Sequence, residues 1–233
     1  MTDRAQSAII GVAVLLAITV VSVAVLTVTV GSVVDESATA AEARSVATAM
    51  GDGLDAERHG PHERRLALNE GRLRTVDRSV RVLQGVDPVT EYAVGGLAYA
   101  AGDRRVRYVA GAVVHDTGDG VRAHAAPRVS VRDRTLFVSI SRLGADTVAV
   151  DGTATVALRT NVTHRRRHLS GGGFGLAVET RTPGVWERRF EALGATTDRR
   201  SFDDDDVPSV VARFPDIGDV YLFVHDLRLE VGR

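Results

Sequence analysis

The chain contains no cysteine and no lysine, and only 5% of its residues are aromatic. Without cysteine, a small disulfide-stapled module and any thiol chemistry are excluded, so a folded domain must rest on packing and hydrogen bonds. All 29 basic residues are arginine, which reads as the codon bias of a GC-rich genome and not as an arginine-rich binding code. Thirty acidic residues offset them to a formal charge of −1, so no global electrostatic case for nucleic acid exists. No Gly-x-Ser-x-Gly occurs, and no carboxylate pair stands in a context suited to acid–base work. The reading is therefore of a protein that is not an enzyme, with no catalytic residue, no metal and no cofactor.

What is present begins with a long uncharged run. Between Arg4 and Asp35 no residue is charged, and most positions are Ile, Val, Leu or Ala. As a helix, Ala5 to Val34 would reach about 45 Å, against a hydrocarbon thickness of about 30 Å. Its polar members are small Ser and Thr, whose hydroxyls can return to the preceding turn. A transmembrane helix over residues 6–34 is expected. Three fates stay open for it: a cleaved signal peptide, an uncleaved anchor, and a prepilin-type signal cut before the apolar run. Against the first, the run is about twice the usual 7–15 apolar residues, and Asp35 and Glu36 intervene before the small-x-small site Ala38-Thr39-Ala40. Arg4 ahead of the run and Asp35 and Glu36 after it favour a cytoplasmic N-terminus and an extracellular remainder, that is, a single-pass cell-membrane protein.

The stretch Asp3-Arg4-Ala5-Gln6-Ser7-Ala8-Ile9-Ile10-Gly11-Val12 resembles the N-terminus of archaeal type IV pilin-like proteins, particularly those of haloarchaea. The resemblance covers about the first 35 residues. It implies a leader over residues 1–5, cleavage by prepilin peptidase at Arg4-Ala5-Gln6 and Gln6 as the mature N-terminus. Other pilin-like subunits would be the partners in a filament, with Gly11, Ala13, Ala17 and Ala24 allowing close helix approach. Ile10 stands where bacterial pilins carry a registering glutamate, and the chain is less acidic than haloarchaeal proteins usually are. The expected function is a pilin-like cell-surface protein, a minor or accessory subunit. The alternative is a membrane-anchored binding module with no filament role.

After the run, Val34, Ala38, Ala41, Val46, Met50 and Leu54 keep a helical spacing, giving a helical stem over residues 35–60. Residues 61–233 then read as a β-rich extracellular domain with period-two strands. Arg65–Leu68 and Arg72–Arg74 read as a hairpin across Asn69-Glu70-Gly71, and Asp151-Gly152 as a tight turn. Arginines fill many alternate positions, as on the solvated face of a half-buried sheet. One helix is expected over Thr182–Gly194, with Trp186, Phe190 and Leu193 on one face. The fold class is mainly β with a long N-terminal transmembrane helix, the β part an antiparallel sandwich or partly open barrel with one short helix.

Four clusters invite chemistry. His164-Arg165-Arg166-Arg167-His168 reads as an exposed loop more readily than as a metal or anion site. Gly171-Gly172-Gly173-Phe174-Gly175 has no Lys-Ser/Thr after it and reads as a turn. Asp203-Asp204-Asp205-Asp206 lacks the spacing of a calcium loop and reads as a solvated turn. His59-Gly60-Pro61-His62-Glu63 has metal-site composition without helical register. Asn161-Val162-Thr163 is a possible N-glycosylation sequon at Asn161.

Overall fold

A computed structural model describes residues 3–57, 59–203 and 205–232, and their side chains except at 3–14 and 23–34. The first helix, α1, runs over Asp3–Gly53. Among the described residues, no helix is long and apolar enough to cross a membrane. Within the uncharged run, side chains are described only at 15–22, about 12 Å of helix against about 30 Å of hydrocarbon. The transmembrane helix in the expected fold class is therefore corrected. So is the expected single-pass cell-membrane localisation, with its cytoplasmic N-terminus and extracellular domain. Both rested on the whole run, most of which lies outside the described side chains.

The chain divides into two units, residues 1–41 and 42–233. The second is mainly β and sandwich-like. Its first sheet joins β1 (Gly60–Leu68), β12 (Ala154–Ser170), β16 (Asp219–Asp226), β10 (Thr135–Arg142) and β9 (Val129–Arg132), with β17 (Glu230–Gly232) on β12. The second is a meander of β2 (Arg72–Val76), β5 (Gly96–Ala101), β6 (Arg104–Val109), β7 (Ala112–Asp116) and β8 (Val121–Ala125), with β11 (Ala149–Asp151) on its β2 edge. The third orders β14 (Thr196–Arg200), β15 (Ser209–Arg213), β13 (Phe174–Glu179), β3 (Ser79–Gln84) and β4 (Asp87–Ala93). Pairing is antiparallel except between β10 and β16, which run parallel with Leu136 opposite Val220.

Two apolar cores result. In the first, the last turns of α1 supply Val46, Ala47 and Met50, all without exposed surface, against Leu66, Leu158 and the inward face of the meander. The helical spacing read from Val46 to Leu54 is thus a core-facing stripe; burying each large side chain there contributes about 1.5–3 kcal/mol. In the second core, β10 and β16 pack on β3, β13 and β15, together with Trp186 and Phe190 of α2 (Pro183–Glu191). The short helix forms where it was read, with Pro183 in its first turn. Beyond it, Gly194 at φ +83° lets the Ala195 N–H return to the Phe190 carbonyl at 3.1 Å, which closes the helix end.

The hairpin expected across Asn69-Glu70-Gly71 does not form. Both strands exist, but β1 pairs with β12 and β2 pairs with β5 and β11. The turn carries the chain between sheets, and Glu42 of α1 accepts the Asn69 N–H at 2.9 Å. Gly71 is required there because a Cβ would stand 2.1 Å from Cε2 of Tyr99, whose ring is buried. Gly71→Ala should cost about 1–3 kcal/mol by overpacking. Urea unfolding of the variant reads this directly, and an unchanged midpoint would show that Tyr99 yields without strain.

Candidate functional site

Residues 15–22 of α1 carry the most unusual surface of the described chain. Leu15, Leu16, Ile18, Val20 and Val21 are each 57–65% exposed. At about 100° per residue these five positions point to every side of the helix and not to one stripe. Of the two hydroxyl side chains in residues 15–22, that of Thr19 is turned inward, donating to the Leu15 carbonyl at 2.7 Å. A helix that is apolar all round is a buried helix, and nothing within the described chain covers this segment. Of the residues expected to permit close helix approach, Ala17 lies here and is exposed. Gly11, Ala13 and Ala24, and the processing residues Arg4, Ala5 and Gln6, lie on α1 outside the described side chains.

The other candidate residues lie in the β unit. His164 to His168 is strand and not loop: it is the second half of β12, paired with β16 so that His164 faces His225 and His168 faces Tyr221. The arginines hid this, because the half-strand exposes nearly all its side chains and shows no apolar alternation. The pairing builds a relay that was not read from sequence. Ser139 Oγ lies 2.9 Å from His225 Nε2, and His225 Nδ1 lies 2.7 Å from His164 Nδ1. His59 adds a third ring, 5.3 Å from that of His164.

A serine beside an oriented histidine is the geometry of an activated nucleophile. Here, however, the cavity at Ser139 measures about 10 Å³, room for no more than a single water. Asp226, the carboxylate next to His225 in sequence, is held by Arg142 at 2.7 Å and Arg165 at 3.7 Å. Among the described residues, no group of three or more His, Asp or Glu side chains is placed to hold a metal ion.

Burial, then the neighbouring His164 and Arg128, push His225 down to about 4. Its folded value lies below its unfolded one, so the unfolded chain takes up this proton first as pH falls. The contribution to stability is therefore complete above about 6.5 and is lost progressively towards 4. After a discount for partial exposure it should be on the order of 1–2 kcal/mol. His225→Gln should flatten the stability profile across that pH window in chemical unfolding; an unaltered slope would exclude His225 as its source.

The remaining clusters resolve into ion pairs and turns. Asp203 meets Arg81 of β3 at 2.7 Å, and Asp205 lies 3.8 Å from Arg78 just before that strand, so two acids of the run face arginines at the third sheet. Glu63 is engaged by Arg159 at 2.9 Å and Arg65 at 3.3 Å. These arginines, Arg159 foremost, hold its carboxyl below the ordinary range. Gly171, Gly172 and Gly173 all take positive φ in the turn from β12 to β13. Asn161 is exposed on β12, opposite Pro61.

The class defined by these features is a β-sandwich-like unit that takes its first core partly from the end of a long helix, with an apolar, uncovered segment nearer that helix's start. The chain belongs to the family of unknown function DUF7289, which matches residues 4–230. No curated protein and no solved structure matches it.

Proposed function

We propose that the protein is a pilin-like assembly subunit, accessory in character, whose N-terminal helix is buried against the same helix of other copies. The observation that carries this reading is the exposure of Leu15, Leu16, Ile18, Val20 and Val21 around the full circumference of α1. Covering them removes on the order of five large apolar side chains from water, each contributing about 1.5–3 kcal/mol. The uncharged sequence from Ala5 to Val34 supports the choice of a like helix as occupant, since side-by-side copies bring no buried charge. Small residues at Gly11, Ala13, Ala17 and Ala24 suit close approach. On this reading prepilin peptidase is the processing partner, acting between Ala5 and Gln6, and the β unit is the part displayed.

The test is the association state of the intact chain at tens of micromolar, by sedimentation and electron microscopy. Elongated assemblies are expected. Monodisperse monomers would overturn the reading and leave a binding module with no filament role.

A further inference from the structure

The outward face of the meander holds a trough whose charge the assembly reading does not use. Cross-strand register places Arg72 opposite Ala100 and Ala100 opposite Arg105, and one rung further places Arg74 opposite Ala98 and Ala98 opposite Arg107. Each rung is therefore arginine, alanine, arginine across β2, β5 and β6. With strands about 4.8 Å apart and alternate residues about 6.6 Å apart, the four guanidinium stems mark the corners of a rectangle of about 10 by 7 Å. The alanines leave its middle low, so the concavity, about 180 Å³, is floored by methyl groups. Arg78 and Arg181 line the same concavity.

Only three of these six cations are matched by carboxylates. Arg72 is paired with Asp151, Arg107 lies 3.9 Å from Asp116, and Arg78 is 3.2 Å from Glu179. Among the described residues, Arg74, Arg105 and Arg181 have no carboxylate within ion-pair distance. Arg105 Nη1 donates instead to the Gly102 and Arg104 carbonyls at 2.6 and 2.8 Å. The like charges are felt: burial first, and then Arg105, Arg181 and Arg78, lower Arg107 against the pull of Asp116.

We propose that this trough is a binding site for a compact chain of linked phosphate groups, held by bidentate guanidinium contacts from both rims. Two features of the lining narrow the ligand to that class. Apart from Tyr99, whose ring is only 1% exposed, the lining consists of Arg, Ala, Val and Leu. It offers no aromatic face on which a nucleic-acid base would stack and no amide or accessible hydroxyl to read a sugar. What remains is recognition of oxyanions by planar donor forks, which phosphate geometry matches in pairs. Six guanidinium groups around one concavity, three of them without a carboxylate, favour a ligand with several phosphates over one.

Isothermal titration of the intact chain with sodium tripolyphosphate, in phosphate-free buffer at low ionic strength, tests this. Saturable one-to-one binding is expected, at least about a hundredfold tighter than that of sulfate. Arg74→Gln with Arg181→Gln should weaken tripolyphosphate by about tenfold or more, with an unchanged unfolding temperature because neither arginine has a carboxylate partner. Arg166→Gln with Arg167→Gln, the same change of net charge on exposed positions of β12, should alter binding less than twofold. Equal losses in the two double variants would show long-range charge alone and overturn the site. Sulfate binding as tightly as tripolyphosphate would overturn the multi-phosphate reading. A nucleoside triphosphate binding no more tightly than tripolyphosphate supports recognition through phosphates alone, and one binding tenfold tighter would overturn it.

Discussion

Replacing Leu16 and Val20 together with aspartate should abolish self-association of the chain while leaving its β unit folded. The two positions are four residues apart and so lie on one side of the helix. At exposures of 60% and 64% they contribute little packing within the described chain. The loss of two buried apolar side chains would weaken association by about 3–6 kcal/mol, or roughly two to four orders of magnitude. Two uncompensated carboxylates in the interface would add to that. Leu16→Ile with Val20→Ile is the control that keeps the surface apolar, and it should assemble normally. Sedimentation velocity separates the outcomes: an aspartate variant that assembles like the parent would place the contact elsewhere.

The largest effect on stability is expected from Glu179→Ala, at about 3–5 kcal/mol. The Glu179 and Arg78 side chains are only 5% and 10% exposed and lie 3.2 Å apart. The second Glu179 oxygen accepts the Ser79 N–H at 3.0 Å. Burial raises the Glu179 carboxyl against the opposing pull of Arg78, and burial likewise lowers Arg78. In both partners desolvation outweighs attraction, the condition under which a buried pair adds little net stability yet cannot lose one member cheaply. The single variant leaves a buried guanidinium with Asp205, 3.8 Å away, as its remaining carboxylate neighbour. Arg78→Met combined with Glu179→Leu should therefore recover most of the loss. Denaturant unfolding of the single and double variants gives the comparison, and additive losses would contradict this account.

Strands were legible where polar and apolar residues alternate in sequence: Thr135–Ser141 is half-buried as that pattern implies, whereas Arg81 within Ser79–Leu83 is itself buried and paired with Glu91 and Asp203. The α2 helix was legible from Pro183, the Trp186–Phe190 spacing and Gly194. Pairing was not legible, since nothing local in Arg65–Leu68 says that its partner is β12 and not the strand just after the turn. The second half of β12 gave no alternation at all, and its strand identity comes from β16, far along the chain. The same distance hid the contact of His225 with Ser139 and His164. Arginines on alternate positions were read as a solvated face, and those of the meander do point away from the core. That three strands would align them in rungs around Ala98 and Ala100 is a matter of register, which alternation alone does not set. The membrane anchor was inferred from the sum of an uncharged run, whereas the described side chains establish only a short apolar segment within it.

The three sheets differ in how far along the chain their partners lie, and this bears on the order in which they can close. Apart from its edge strand β11, the meander is complete within Arg72–Ala125, its one skip being from β2 to β5 past β3 and β4. The first sheet cannot be completed until β16 pairs with both β10 and β12, and the third until β15 pairs with β13 and β14. Loop closure over such separations slows folding. During synthesis the arginine-bearing meander is thus the one sheet able to form early, while β1 and β3 wait with open edges for strands still to be made.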